Sequence, residues 1–164
     1  MNIFILRHGE AGTRVSTPNT DFERPLTQSG REEIEEIAES LHDKLKTKFD
    51  KIATSPLARA FQTAEIVSQV YKKSSKLETW AELRPEGSKL DLERRLSKLR
   101  QDSNVLLVGH EPFLSSLITE IVSEGSAKIA LKKGGVAKIR VSSFSPKATG
   151  ELRWLLTPKQ LKKM

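Results

Sequence analysis

Arg7-His8-Gly9 and Gly109-His110-Glu111-Pro112 each close an apolar run, and Arg59 follows a third run after Ser55-Pro56. Two guanidiniums and two imidazoles brought to one point, with no cysteine in the chain and no obvious carboxylate cluster beside them, describe a pocket for a dianionic phosphoryl group. Arginine's planar fork binds phosphate oxygens bidentately and keeps its charge at any physiological pH. Histidine serves in such a pocket as nucleophile or as donor. A two-histidine metal site lacks a third ligand at convincing spacing, and the neighbouring arginines would repel a cation. We therefore expect neither a metal nor an organic cofactor. His42, on the acidic flank of a helix, reads as a surface residue.

Convergence of these side chains requires elements that end on one edge. Ile3-Phe4-Ile5-Leu6 is the continuous apolar run of a central parallel strand, and Val105-Leu106-Leu107-Val108 is a second. Lys51-Ile52-Ala53-Thr54 reads as a short strand, with another at Leu77 to Trp80. Residues 10–26 are polar and carry Pro18 and Pro25, so they read as a long loop. Thr27 is placed to cap a helix in which Ile34, Ile37, Ala38, Leu41 and Leu45 share one face. Ser55-Pro56 predicts an N-cap and first helical position, which would put Arg59 in the first turn. Leu92, Leu96 and Leu99 mark a weaker helix, and Leu114 to Val122 a stronger one. Turns at Gly134-Gly135 and Lys147 to Gly150 bound final strands at about 136–144 and 151–156. Alternating strands and helices predict a three-layer α/β/α fold, with a mainly parallel central sheet and an antiparallel closing hairpin. Sites in such sheets lie outside the carboxyl ends of the strands, where His8 and His110 fall.

Composition narrows the classes. At 164 residues, 37% hydrophobic and 30% charged, the chain is apolar enough for one globular domain over residues 1–164. No run reaches the ~18 apolar residues a bilayer requires, so no membrane association is expected. The N-terminus has neither a basic n-region nor a small-residue cleavage site, and we expect a cytoplasmic protein. The formal charge of +7 is uneven: residues 128–164 hold ten basic residues and one acidic one. Such a field aids solubility or steers an acidic partner. Only Phe144 and Trp154 interleave with it, which argues against a nucleic-acid platform.

Three segments in this order, Leu6-Arg7-His8-Gly9-Glu10-Ala11, Ser55 to Ala64 and Val108 to Pro112, resemble the histidine phosphatase superfamily, or phosphoglycerate mutase-like fold. Arg24-Pro25-Leu26-Thr27-Gln28-Ser29-Gly30 and the lack of a large helical insertion look like its SixA-type phosphohistidine phosphatases. The resemblance runs from Met1 to about Leu156. It implies that His8 is the nucleophile of a covalent phosphohistidine intermediate, that Arg7 and Arg59 clamp the phosphate, and that His110 donates to the phosphoryl oxygens. It also implies activity on a phosphohistidine-bearing signalling protein, such as a histidine-phosphotransfer domain; we expect a monomer.

One departure bears on substrate. Relatives that cleave phosphate esters look to carry a glutamate acid in a Leu-x-Glu pattern, where Leu83-Arg84 here is followed by Pro85. Glu82 is the nearby candidate for that proton donor. Without an acid an alkoxide departs slowly, whereas imidazole leaves readily, so the pattern favours a P–N substrate. The alternatives are a small-molecule phosphomonoesterase of the same superfamily and a non-catalytic phospho-protein binder.

Overall fold

Strand β1 (Asn2–Arg7) is buried from Ile3 to Leu6 on both of its faces, as its unbroken apolar run requires. In the computed structural model, which describes residues 1–13 and 18–164 and the side chains of all of these except 18 and 19, β1 lies within a six-stranded sheet. The other strands are β2 (Lys51–Thr54), β3 (Leu77–Thr79), β4 (Asn104–Gly109), β5 (Val136–Ser143) and β6 (Thr149–Leu156). Their spatial order is β3-β2-β4-β1-β5-β6. The first four are parallel, and β5 and β6 are antiparallel to their neighbours.

Alternation along each strand divides the core between the two faces. Ile3, Ile5, Val105 and Leu107 pack with Leu114, Leu117 and Ile118 of α5 (Phe113–Ser123) and with Leu92 and Leu96 of α4 (Lys89–Ser97). Phe4, Leu6, Leu106 and Val108 face α2 (Gln28–Glu39), through Ile34, Ile37 and Ala38, and α3 (Ala58–Val70), through Ala60, Ala64 and Val67. Each fully buried Ile or Leu contributes about 1.5–3 kcal/mol over its exposed state. The three-layer α/β/α arrangement with a mainly parallel central sheet is the one expected.

Several local expectations change. Two short helices, α1 (Pro18–Glu23) and α6 (Pro158–Lys163), lie where the sequence reads as loop and tail. Residues 14–17 of the expected 10–26 loop lie outside the described residues. Thr27 does cap α2, accepting from the Gly30 amide at 3.0 Å, but after Glu39 the helix widens into a π turn over Ser40–Lys44. Helix α3 begins at Ala58 with Leu57 as its extended N-cap, so Ser55 and Pro56 precede it. His42 is exposed, as expected, and its ring lies edge-on to Tyr71.

Candidate active site

Parallel pairing of β1 with β4 sets Arg7 opposite Gly109, so the residues that follow, His8 and His110, emerge side by side. The His8 amide donates to the Gly109 carbonyl at 3.1 Å, and the two imidazole centroids lie 5.2 Å apart. The Ser55 amide continues this edge by donating to the Val108 carbonyl at 3.0 Å. Arg7, His8, Arg59 and His110 line one cavity of about 980 Å³. Four of the five residues singled out from sequence are thus brought together.

Glu82 is not brought there. Both of its carboxylate oxygens accept from Arg95 Nη1, at 3.1 and 3.2 Å, and the Arg95 guanidinium lies over the Trp80 ring. A single 3-10 turn, Ala81–Leu83, buries Leu83 completely and turns Glu82 toward α4. Glu82, the proton-donor candidate, thus stands outside the set that lines the cavity. Pro85 and Glu86 line the cavity in its place, together with Glu10, Asp21 and Glu111.

The His8 ring is fixed by backbone. Its Nδ1 donates to the Gly9 carbonyl at 2.7 Å, which leaves the Nε2 lone pair unprotonated and available to attack. The Gly9 amide donates to Thr63 Oγ1 at 3.1 Å, and Thr63 Oγ1 donates to the Arg59 carbonyl at 2.8 Å. One buried hydroxyl therefore ties the histidine loop to the arginine helix. A Cβ on Gly9 would lie 2.7 Å from Ile34 Cγ1, so any side chain there would push the loop off α2.

Arginines surround the imidazoles. Arg7 Nη1 donates to the Leu131 carbonyl at 3.0 Å. Arg59 Nη1 donates to the Asp21 carbonyl at 2.9 Å, and its Nη2 pairs with Asp21 Oδ2 at 3.3 Å. Arg24 belongs to the SixA-like segment, and the resemblance implies no role for it. It lines the same cavity and shares Asp21, with Nε 3.2 Å from Oδ1. The signal that could have found it was an arginine in a segment that carries the resemblance, as Arg7 and Arg59 each are.

Burial lowers the His8 pKa to about 4, with Arg59, Arg7 and Arg24 adding repulsion. Desolvation thus outweighs the arginine charge that the sequence brings to mind first. His110 is lowered to about 3, again chiefly by burial, then by His8 and the arginines. Both rings are neutral across physiological pH. The unfolded chain takes up a proton per histidine near pH 6.5, whereas the folded rings resist until about 4 and 3. This stability is present above pH 6.5 and falls with pH, by about 2 kcal/mol per histidine between pH 7 and 5. Urea unfolding at both pH values should show the loss, and a His8→Asn/His110→Asn protein should lack that share. An equal pH slope in the two proteins would refute burial as neutral imidazoles.

Ser55, read from sequence as a helix cap, has another task. Its Oγ lies 2.8 Å from His110 Nε2 and accepts from the Leu57 amide at 3.3 Å. Among the described residues His110 Nε2 is the one acceptor bonded to the Ser55 hydroxyl, so Ser55 donates to Nε2 and the His110 proton sits on Nδ1. His110 Nδ1 and Arg7 Nε are both buried and have no hydrogen-bond partner among the described residues. A phosphoryl oxygen would satisfy such donors. Ser55→Ala should slow turnover roughly tenfold, in line with the ~1–3 kcal/mol of a lost bond to a buried group. It should also shift the His110 ring-nitrogen NMR signals toward a mixed tautomer. Unchanged signals and kinetics would remove Ser55 from this positioning role.

Residues 3–86 match the model of the histidine phosphatase superfamily (branch 1). The chain belongs to the histidine phosphatase superfamily. Within it, the SixA homologue of Haemophilus influenzae, a phosphohistidine phosphatase, is 32% identical over 129 residues, covering 74% of this chain and 77% of the relative. An uncharacterized protein of Picosynechococcus is 32% identical over 169 residues, 98% of this chain and 99% of the relative. The structure of the protein histidine phosphatase SixA complexed with tungstate superposes with a TM-score of 0.86 at 28% identity, covering 99% of this chain and all of that one. This histidine phosphatase is accordingly a SixA-type member with phosphatase activity. No helix among its described residues is long and apolar enough to cross a membrane.

Proposed function

We propose that this phosphatase removes phosphate from phosphohistidine on a protein, through a covalent intermediate on His8. The observation that carries this reading is the pair of neutral imidazoles 5.2 Å apart, flanked by Arg7 and Arg59, with unmatched donors on Arg7 and His110. His8 Nε2 attacks phosphorus in line as the bond from phosphorus to the substrate nitrogen breaks. Arg7, Arg59 and His110 hold the equatorial oxygens, whose charge is spread in the transition state. The substrate imidazole leaves neutral when its distal nitrogen is protonated. Water then attacks the phosphorylated His8, breaks that P–N bond and releases phosphate, and the ring returns to its starting tautomer. The relationship to SixA supports a phosphohistidine substrate, and the tungstate held by that relative is a tetrahedral oxyanion of the kind this pocket suits. A histidine-phosphotransfer domain of a cytoplasmic signalling relay is the partner this chemistry fits.

Glu86 on the cavity wall favours a second reading, in which the enzyme also cleaves small phosphate esters with Glu86 as acid. Side-by-side assay of a phosphohistidine-bearing protein, an aryl phosphate and an alkyl phosphate separates the two. We expect the first two to turn over and the alkyl phosphate to lag by at least about a hundredfold, as the unassisted departure of an alkoxide implies. Efficient alkyl phosphate hydrolysis that disappears in Glu86→Gln would establish the esterase reading instead.

A further inference from the structure

The turn Leu131 to Gly135 is fastened to the catalytic strand. The Arg7 amide donates to the Gly135 carbonyl at 3.1 Å, the Gly134 amide donates to the Arg7 and His8 carbonyls at 3.0 and 3.3 Å, and the Arg7 side chain reaches the Leu131 carbonyl. Gly134 has a φ of 69°, and a Cβ there would lie 2.9 Å from Ile37 and 3.2 Å from Pro158, the first residue of α6. The turn therefore sits against α6. Together they line a groove of about 430 Å³ that exposes Lys132, Lys133, Lys159, Lys162 and Lys163. Lys133 lines this groove and the catalytic cavity alike, so the two are adjoining. Lys162 is paired with Glu33 and Glu36, whereas Lys132, Lys159 and Lys163 form no ion pair among the described residues.

We propose that this lysine ledge docks an acidic face of the phosphoprotein substrate, holding it so that its phosphohistidine enters the neighbouring cavity. The proposal rests on the phosphohistidine reading above. Unpaired surface cations beside an anion site have a cost in self-repulsion that an acidic partner relieves. Such charges steer encounter and fix orientation, and salt screens them. Rigid backbone links between the ledge and Arg7 and His8 hold the docking charge at a constant distance from the reacting atoms. A nucleic-acid occupant is disfavoured because none of the residues lining the groove is aromatic.

The test uses two phosphohistidine-bearing peptides of equal length, one rich in Asp and Glu and the other with Asn and Gln at those positions, beside an aryl phosphate. At low salt kcat/KM for the acidic peptide should exceed that for the neutral one by about tenfold, the sum of a few exposed ion pairs. High salt should erase the advantage, as should Lys132→Glu/Lys159→Glu/Lys163→Glu, which leaves aryl phosphate hydrolysis unchanged. Equal kcat/KM for the two peptides, or an advantage that survives the charge reversal, would overturn the proposal. If neither peptide is dephosphorylated while the aryl phosphate is, the substrate assignment has failed. Docking is then read from the unphosphorylated acidic peptide, which should inhibit the wild type and not the variant; no inhibition overturns docking as well. Stronger inhibition by a single-stranded RNA than by the acidic peptide would also overturn it.

Discussion

His8→Ala should lose turnover of phosphohistidine and aryl phosphate alike, by at least about 10⁴-fold, because the one other imidazole lining the cavity among the described residues is His110. His110 cannot stand in for it, since its Nε2 faces Ser55 and its Nδ1 carries the proton. Brief reaction of the wild type with labelled phosphodonor should leave label on the protein that survives base and is lost in acid, as a phosphoramidate requires. The alanine variant should take up none. A wild-type far-UV circular dichroism spectrum would show that the variant is folded, and substantial residual turnover in that folded protein would exclude a covalent His8 intermediate.

Arg59→Ala should reduce kcat/KM by roughly a hundredfold or more, the effect of the ~3 kcal/mol carried by a preorganised donor to transition-state charge. Arg59 is 5% exposed and its guanidinium is oriented through Asp21, so it is held in place before any anion enters the cavity. Its loss should also weaken inhibition by phosphate and vanadate. Asp21 keeps Arg24 as a partner, so no buried carboxylate is stranded and the fold should survive. Arg59→Lys keeps the charge but loses the fork, and should recover only part of the activity. Near wild-type kinetics and anion affinity in the alanine variant would return Arg59 to a structural role.

Local patterns carried much of the fold and the heart of the site. Two unbroken apolar runs, each ending in a histidine, specify parallel strands whose carboxyl ends share an edge, and burial on both faces leaves those runs no other stable arrangement. The helix after Thr27 was legible because its cap and its apolar spacing agree. Helix α3 was displaced because Ser55 has two possible uses. The hydroxyl that would cap a helix in isolation is shared between the Leu57 amide and an imidazole 55 residues away, and the helix starts at Ala58.

The sequence by itself determined the fold class and the set Arg7, His8, Arg59 and His110 that meets in one cavity, because periodicity and motif spacing are short-range properties that survive in any context. Only the tertiary structure decided that Glu82 belongs to Arg95, that Arg24 enters the pocket, and that Ser55 sets the His110 proton. It alone brought Lys133 to the wall of the cavity that His8 lines. Each of these depends on a hydrogen bond or a packing contact between segments far apart in the chain, and a side chain's partner there is chosen by the competition among all groups the fold brings within reach.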